Sequence, residues 1–348
     1  MHPAQRLITG RQAPRRRSNG VAVAIAVMLH HFPLDVRSPW DAAGARAIVR
    51  PVVVSNVSSI LGRLGGAMKQ RLNPRKGTFG LLLRRWRKAR GISQLNLALD
   101  AGLSARHLSF IETGRAKPSR GMVLRLGEAL DLPLRERNEL LIGAGLAAVF
   151  PASSLHGVPL AQARKALTFM LRQQEPYPAL VVNRALDMLM ANEAAQRLLA
   201  LLGLNLPKSA SAEPPNLLRA LLHPDRLRRH VVNWEAVALS MIASMRRALI
   251  AYPDAAIGRL LAEVMEYPGI PREWPTEDSN PAIPPLLPLT LEKDGARMSW
   301  FTIIAMFGTP QDITLQDLRL ETFFPADEAT EAFCRQQARQ SSASSAAE

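Results

Sequence analysis

Apolar residues recur at every third or fourth position between residues 79 and 145, which predicts a run of short helices. Gly91, Gly102 and Gly114 each stand where one helix pattern stops, as glycine does after a helix C-terminus. The first two predicted helices are Phe79–Arg90 and Gln94–Ala101. A third follows the cap Ser104 and ends at Thr113, and a fourth, Arg120–Leu130, follows the cap Ser119. The fifth runs from Pro133 to about Ile142. Five short helices joined by tight turns predict a compact bundle.

The pattern becomes mixed after a linker at residues 149–158. A helix over Leu160–Gln174 is followed by two short apolar runs, Ala179–Asn183 and Leu186–Ala191, which we interpret as a strand pair with Arg184 in its turn. Further helices are predicted from Asn192 and over Leu217–His223, Asp225–Ile250 and Asp254–Glu266. Three strands then follow, Pro284–Leu291, Met298–Phe307 and Ile313–Phe323, the first two joined by a turn at Lys293–Gly295, and a closing helix spans Pro325–Arg339. This alternation predicts an α+β domain built on an antiparallel sheet with flanking helices.

Charge separates these two parts of the chain. The 348 residues carry a net charge of +15, but residues 1–150 hold 25 basic and 8 acidic side chains, whereas the remainder holds 19 and 21. This distribution indicates that the basic N-terminal part binds a polyanion and that the near-neutral C-terminal part has a different function.

The ends of the chain lack a clear periodic pattern. We interpret residues 1–67 as a disordered extension or an upstream stretch that is not translated, with Met68 as the natural start; a flexible arm that touches DNA is the alternative. Val21–Leu29 follows three arginines and resembles a signal peptide weakly, without a convincing cleavage site. We expect the tail, residues 340–348, to be disordered.

The single cysteine, Cys334, excludes an intramolecular disulfide and a cysteine-based zinc site and is typical of a reducing compartment. From this cysteine usage, we expect a cytoplasmic protein with no metal. No apolar run approaches the length of a membrane span, so we expect no membrane partner.

The stretch Ser93–Pro118 reads SQLNLALDAGLSARHLSFIETGRAKP, two helices joined by a tight turn at Gly102. In a helix-turn-helix the first helix rests against the DNA backbone and the second enters the major groove by its N-terminal end. Ala98 is small where the two helices would cross, and Leu95, Leu103, Leu108 and Ile111 are the expected buried contacts. The joint pattern of this stretch resembles the Xre/Cro-repressor-like helix-turn-helix family over about 65 residues.

That resemblance implies an operator-binding surface on double-stranded DNA. Gln94 would contact a phosphate, Ala105, Arg106 and Ser109 fall at base-reading positions, and the loop after the recognition helix would hold phosphates. The expected DNA-binding residues are Ser93, Gln94, Ser104, Ala105, Arg106, His107, Ser109, Arg115 and Lys117. The family also implies a structural salt bridge between Arg87 and Glu112, in preference to a catalytic or metal-binding role for Glu112 with His107. For the basic run at residues 84–88, phosphate contact and a solvated helix face are both open.

The C-terminal part resembles the ligand-binding domain of MmyB-like regulators in the stretch PYPALVVNRALDMLMAN, in the helix through Asn233-Trp234-Glu235 and in the final strands. The resemblance implies a PAS-like sheet with flanking helices and a pocket for a fatty-acid-like ligand, and no other cofactor. We therefore expect two domains, residues 68–148 for DNA binding and residues 159–339 for ligand sensing.

Arg226, Arg229 and Asn233 are spaced to share one helix face and could present donors to a carboxylate. Trp234 would cover the pocket wall, and Arg184 is either a further donor or a solvent-exposed turn residue. The proline-rich stretch Trp274–Pro288 departs from the common family pattern and puts the ligand class in doubt.

The main hypothesis is a homodimeric, ligand-responsive transcriptional regulator. Two alternatives remain at this stage: the C-terminal domain serves only dimerisation or a protein partner, or it is an enzyme. Residues 151–348 contain no nucleophile elbow, phosphate loop, metal cluster or dinucleotide fingerprint, so we expect no enzymatic activity.

Overall fold

The computed structural model describes residues 78–206, 213–271 and 286–345, the last five as backbone only. The predictions for residues 1–67 and for Trp274, Pro275, Pro281, Pro284 and Pro285 lie outside these ranges.

An N-terminal bundle is formed by five helices, as the sequence predicts. They are α1 (Thr78–Ala89), α2 (Gln94–Asp100), α3 (Ala105–Glu112), α4 (Arg120–Ala129) and α5 (Leu134–Gly143). Ser93, Ser104 and Ser119 cap α2, α3 and α4, because each side-chain oxygen accepts a backbone N–H from the first turn.

The core of this bundle is made of leucines from every helix together with Trp86 and Ile111. Gly91, Gly102 and Gly114 adopt positive φ angles of 66°, 65° and 72° at the predicted helix ends. The prediction for Leu95 is wrong, since it is 57% exposed and its neighbours Leu97 and Ala98 are buried instead.

The C-terminal domain is a five-stranded antiparallel sheet with helices on both faces. Its elements are α6 (Ala161–Gln173), β1 (Ala179–Val182), β2 (Met188–Ala191), α7 (Glu193–Leu201), α8 (Leu217–Leu222), α9 (Trp234–Ala251), α10 (Ala255–Met265), β3 (Leu289–Lys293), β4 (Ala296–Ala305), α11 (Ile313–Asp317), β5 (Arg319–Pro325) and α12 (Glu328–Ser345). The strand order is β2-β1-β5-β4-β3, and α7 to α10 lie between the second and third strands of the chain. This architecture confirms the expected PAS-like class.

The two faces of the sheet belong to different cores. Leu180 and Val182 of β1 point to the side covered by α7, α8 and α10, whereas Ala179 and Val181 point to the side covered by α6. Because β1 is buried on both faces, its sequence is a continuous apolar run and does not alternate.

Two predicted elements differ in the structure. The predicted helix Asp225–Ile250 is a 3₁₀ turn, Leu227–His230, followed by α9, because residues 231–233 pair with β3. The predicted strand Ile313–Phe323 begins as the short helix α11, which Asp312 caps through the backbone N–H of Thr314, and only then becomes β5.

The ends of the remaining elements follow local chemistry. The turn between β3 and β4 is confirmed, with Asp294 and Gly295 at φ angles of 51° and 80°, as a two-residue hairpin requires. At the C-terminus α12 continues through Ser345 into the segment expected to be a disordered tail.

Candidate DNA-binding surface and ligand recess

The N-terminal half of α3 faces solvent and carries the predicted base-reading residues. Ala105 and Arg106 are exposed, and His107 and Ser109 are half-buried. Arg106 lies 5.5 Å from the centroid of the Phe110 ring, one helical turn along, so its guanidinium rests against an aromatic face. This helix end therefore presents a short row of polar side chains without large steric cover.

The remaining predicted contacts surround the start of α2 and the loop after α3. Ser93 accepts the backbone N–H of Asn96 at 3.1 Å, and Ser104 accepts that of His107 at 3.2 Å, so both hydroxyls already serve as helix caps. Arg115 and Lys117 are exposed and unobstructed in the loop. These positions are compatible with phosphate contacts on either side of α3, which stay a prediction.

Arg87 and Glu112 form the bidentate pair that the resemblance implies. Arg87 donates from Nε to Glu112 Oε1 at 2.6 Å and from Nη2 to Oε2 at 2.9 Å, and the two side chains are 11% and 2% exposed. Gln94 donates to the same carboxylate at 2.6 Å, so it is oriented by Glu112. Burial alone would raise the pKa of Glu112, but the bonds from Arg87 and Gln94 outweigh burial and hold that pKa below its usual value. The charged carboxylate thus ties α1, α2 and α3 together.

Sequence reasoning missed Gly80, which brings α1 close to the end of α3. A Cβ atom at this position would lie 2.4 Å from the carbonyl oxygen of Glu112 and 2.7 Å from that of Ile111. Both carbonyl oxygens belong to the backbone of α3, so neither can rotate away as a side chain could. The available signal was a glycine inside a helical pattern, which often marks a close approach.

A small apolar recess of about 40 Å³ lies between the sheet and α7 and α8. Its wall is formed by leucines of both helices, by Trp300 of β4, by Phe323 of β5 and by Leu291 of β3. Its lining is entirely apolar or aromatic, and its volume is well below that of a typical small-molecule pocket, so a ligand would have to widen it.

None of the five residues predicted to bind a ligand lines this recess. Arg226, Arg229 and Asn233 do not share a helix face, since the helix that would align them is broken. Asn233 instead bonds the backbone of Pro288 and Thr290, at 2.7 and 3.0 Å. Trp234 stacks on Arg228, whose guanidinium lies 3.5 Å from the ring centroid. Any contact of these side chains with a ligand stays a prediction.

The fifth residue, Arg184, lies at the junction between bundle and C-terminal domain and is 14% exposed. Its Nη1 is 3.6 Å from Glu136 of α5 and 4.0 Å from Asp254, and its Nη2 donates to the backbone carbonyl of Tyr252 at 2.8 Å. Burial raises the pKa of Glu136, while the charge of Arg184 opposes that rise. Arg184 therefore bridges the two domains.

Tyr252, at the corner between α9 and α10, is the C-terminal domain's contribution to the core of the bundle. The residue is 6% exposed, its ring lies 5.9 Å from that of Trp86, and its hydroxyl accepts a hydrogen bond from Arg90. Arg90 also donates to the carbonyl of Leu130 at 3.1 Å. The linker is held as well, because Asn138 of α5 bonds the backbone of Val149 and Phe150. The α9–α10 corner is therefore in direct contact with the bundle through Tyr252.

The bundle and the exposed end of α3 define a DNA-binding helix-turn-helix protein, and the comparisons agree. A helix-turn-helix domain model matches residues 78–140. The model described as MmyB-like transcription regulator ligand binding domain matches residues 163–336, half of the chain. The chain therefore belongs to the MmyB-like transcription regulators, with a ligand-binding-type C-terminal domain. Both matched models describe regulatory domains.

Solved structures with similarity to this chain include two that cover about a fifth of it. The restriction-modification controller protein C.AhdI from Aeromonas hydrophila is 38% identical over 18% of this chain and 88% of that one, with a TM-score of 0.17. The clp gene regulator ClgR from C. glutamicum is 27% identical over 20% and 87%, with a TM-score of 0.18. An RNA-binding light-oxygen-voltage receptor covers 82% of this chain and 67% of its own, at 14% identity and a TM-score of 0.22. No curated protein matches the chain.

None of the helices in the described residues has the length and apolar character needed to cross a membrane. These residues also contain no group of three or more histidine, cysteine, aspartate or glutamate side chains suited to a metal ion.

Proposed function

We propose that the protein is a homodimeric, sequence-specific DNA-binding regulator whose affinity for its operator depends on an apolar small molecule held in the C-terminal recess. The observation that carries the proposal is the recess itself, wholly apolar in its lining and placed in the domain that contacts the bundle through Tyr252.

The DNA-binding part of the proposal is supported by the exposed N-terminal half of α3. Arg106 is long enough to reach guanine O6 and N7, and the exposed Arg115 and Lys117 would fix the duplex through phosphates. One recognition helix reads only a few base pairs, so a homodimer would read two half-sites about one helical turn apart.

The ligand part of the proposal is supported by the lining of the recess and by the match to a ligand-binding domain model. An entirely apolar wall recognises an acyl chain or a similar hydrocarbon body by burial of surface rather than by charge. A fatty-acid-like molecule, as the family resemblance implies, is one such ligand.

The coupling between the two parts would run through α8 and α10. Leu217 and Leu221 of α8 line the recess, and Arg219 on the same helix pairs with Glu263 of α10 at 2.7–2.8 Å. A ligand that displaces α8 would therefore pull on α10 and on Tyr252 before its first turn. Its effect on DNA affinity is bounded by its preference for one domain arrangement over the other.

Mass spectrometry of an organic extract from protein purified without detergent tests the ligand part. We expect a stoichiometric apolar compound, and adding that compound to stripped protein should change DNA affinity at fixed salt. A clean extract from folded protein that binds DNA would contradict ligand sensing and leave the DNA-binding part standing.

Hydrogen exchange tests the coupling with matched tyrosine variants. Tyr252→Ala should abolish the change in α1 exchange that the extracted compound causes. Tyr177→Phe removes a hydroxyl bonded within the C-terminal domain, to Glu331 at 3.2 Å, and should leave that change intact. Equal responses in both variants would refute the Tyr252 route.

A second candidate function is favoured by exposed apolar side chains on the other face of the sheet. Phe169 and Met170 of α6 and Ile303 of β4 are 63%, 41% and 48% exposed. Exposed apolar side chains of this kind would suit a protein contact. In this alternative the domain binds only a second copy or a protein partner, and the extract would contain no compound.

A further inference from the structure

The junction between the bundle and the C-terminal domain places one guanidinium between two carboxylates. Nη1 of Arg184 lies 3.6 Å from Glu136 of α5 and 4.0 Å from Asp254, the cap of α10, which is beyond hydrogen-bond distance of both. Nη2 of the same arginine donates to the backbone carbonyl of Tyr252. One guanidinium cannot neutralise both carboxylates, so the junction is better balanced when one of the two is uncharged.

Of these two carboxylates, Glu136 is the one that is shielded from water. Its side chain is 4% exposed, against 23% for Asp254. Oε2 of Glu136 is also the one buried side-chain oxygen, within the described ranges, that lacks a hydrogen-bond donor. Asp254, in contrast, accepts the backbone N–H groups of Ala256 and Ile257. A buried charge with an unpaired oxygen is costly, and a bound proton lowers that cost by removing the charge.

Further charged groups surround this cluster. They are Arg135 and Glu139 on α5, Arg85 and Arg90 on α1, Asp317 on α11 and Arg319 on β5. Arg135 and Asp317 are 2.7 Å apart, so the charge of Arg135 is already paired. Glu139 is a like charge near Glu136 and disfavours its ionisation. These surroundings leave Arg184 as the main group that favours the charged form of Glu136.

We propose that Glu136, Arg184 and Asp254 form a proton-linked latch between the two domains. The bundle is held against the C-terminal domain when Glu136 carries a proton, and the contact is weakened when Glu136 is ionised. The latch acts on the DNA-binding bundle through Tyr252, since Arg184 holds the carbonyl of this residue and the ring packs in the bundle core. The inference goes beyond the proposed function, because the latch needs neither operator nor ligand.

The direction of the pH effect follows from the burial of Glu136. Burial raises the pKa of this carboxyl, and the opposing charge of Arg184 does not cancel the rise. Separation of the domains would return the carboxyl to water and to its ordinary pKa of 4.5. Closing the junction therefore takes up a proton between these two pKa values, so the closed form gains as the pH falls through the raised pKa toward 4.5.

The test follows the fluorine-19 resonance of Trp86, whose ring lies 5.9 Å from that of Tyr252, in the full chain labelled with 5-fluorotryptophan. The resonance is identified by its loss in Trp86→Phe, and Tyr252→Ala supplies the reference spectrum for the open junction. Between about pH 5 and 8 at fixed salt, we expect the share of the closed form to grow as the pH falls. One proton changes the ratio of closed to open form by at most about tenfold per pH unit.

Three variants assign the response to the latch. Glu136→Gln keeps the shape without the charge, so it should hold the junction closed and abolish the pH response. Glu128→Gln makes the same change of charge at an exposed position of α4 and should respond as the wild type does. Asp254→Asn retains an oxygen for the helix cap and leaves Arg184 to Glu136 alone. The response should then move to lower pH, which keeps the proposal testable if Glu136→Gln does not fold.

Three results would overturn the latch. The first is a Trp86 resonance in the wild type that does not change over this pH range. The second is an undiminished response in Glu136→Gln, which would assign the proton to another group. The third is a closed form whose share grows as the pH rises. Because the readout uses neither operator nor ligand, each of these results would leave the proposed function standing.

Discussion

Replacement of Glu112 by glutamine tests how the three helices of the DNA-binding motif are held. The carboxylate accepts three hydrogen bonds at 2.6–2.9 Å, and its side chain is 2% exposed. Glutamine keeps the shape but leaves the Arg87 charge unpaired and turns an NH₂ group toward at least one donor, because Oε1 accepts one hydrogen bond and Oε2 accepts two. Breaking a buried pair by removing one partner costs about 3–5 kcal/mol, and we expect about 3 kcal/mol here because one acceptor oxygen survives.

The assay is hydrogen exchange of the slowest amides in α1 and α3 of the native chain. A loss of about 3 kcal/mol corresponds to exchange on the order of a hundredfold faster. The control is Glu263→Gln, which breaks a pair of the same bidentate geometry at the surface, where 41% of the Glu263 side chain is exposed. That change should cost no more than about 1 kcal/mol.

The pH dependence supplies an independent check of the same pair. Because the folded-state pKa of Glu112 is lowered, its contribution is present above the unfolded-state pKa and is lost as the pH falls through the folded-state value. The wild-type bundle should therefore lose stability in acid from about pH 4.5 downward, and Glu112→Gln should lose less. Equal exchange rates in Glu112→Gln and the control, or identical acid profiles, would refute the reasoning.

The remaining predictions concern the operator contacts, the α1–α3 approach and the cysteine. On a cognate operator Arg106→Ala should cost roughly 1–3 kcal/mol and relax the preference at one base pair, while Lys117→Ala should weaken all sequences alike and lower the salt slope by about one; binding titrations at several salt concentrations distinguish the two. Gly80→Ala should destabilise the bundle by at least about 2 kcal/mol, since its Cβ meets backbone at 2.4 Å, and unchanged thermal unfolding would contradict this. Cys334, buried and with a pKa near 12, should react with a thiol reagent about a thousandfold more slowly than an ordinary cysteine; fast labelling of native protein would show that α12 opens.

Local chemistry explains what the sequence alone could predict. Three serine caps, three glycine helix ends and the Asp294–Gly295 turn all depend on residues within a few positions of one another, so a single sequence shows them. The Arg87–Glu112 pair spans 25 positions and was accessible only through the family resemblance.

Long-range pairing explains most of what could not be predicted. The stretch Asp225–Ile250 has no proline and an apolar pattern, yet it is divided because Val231 pairs with Leu291 sixty residues later. The same division removed the helix face on which Arg226, Arg229 and Asn233 were expected to meet.

The cavity residues escaped prediction for a related reason. Trp300 lies in a predicted strand and belongs to no motif. The register of β4 against β3 and β5 places its side chain in the wall of the recess. Tyr252, one of three tyrosines in the chain, carries no motif and gains its role from the docking of two domains.

Selection of binding sites from random-sequence duplex DNA by the full chain, at fixed salt, tests the central claim most directly. The account predicts enrichment of an inverted repeat whose half-sites are centred about one helical turn apart, and loss of enrichment at one base pair per half-site with Arg106→Ala. A wild-type pool with no enriched sequence, bound only through salt-sensitive nonspecific contacts, would contradict it.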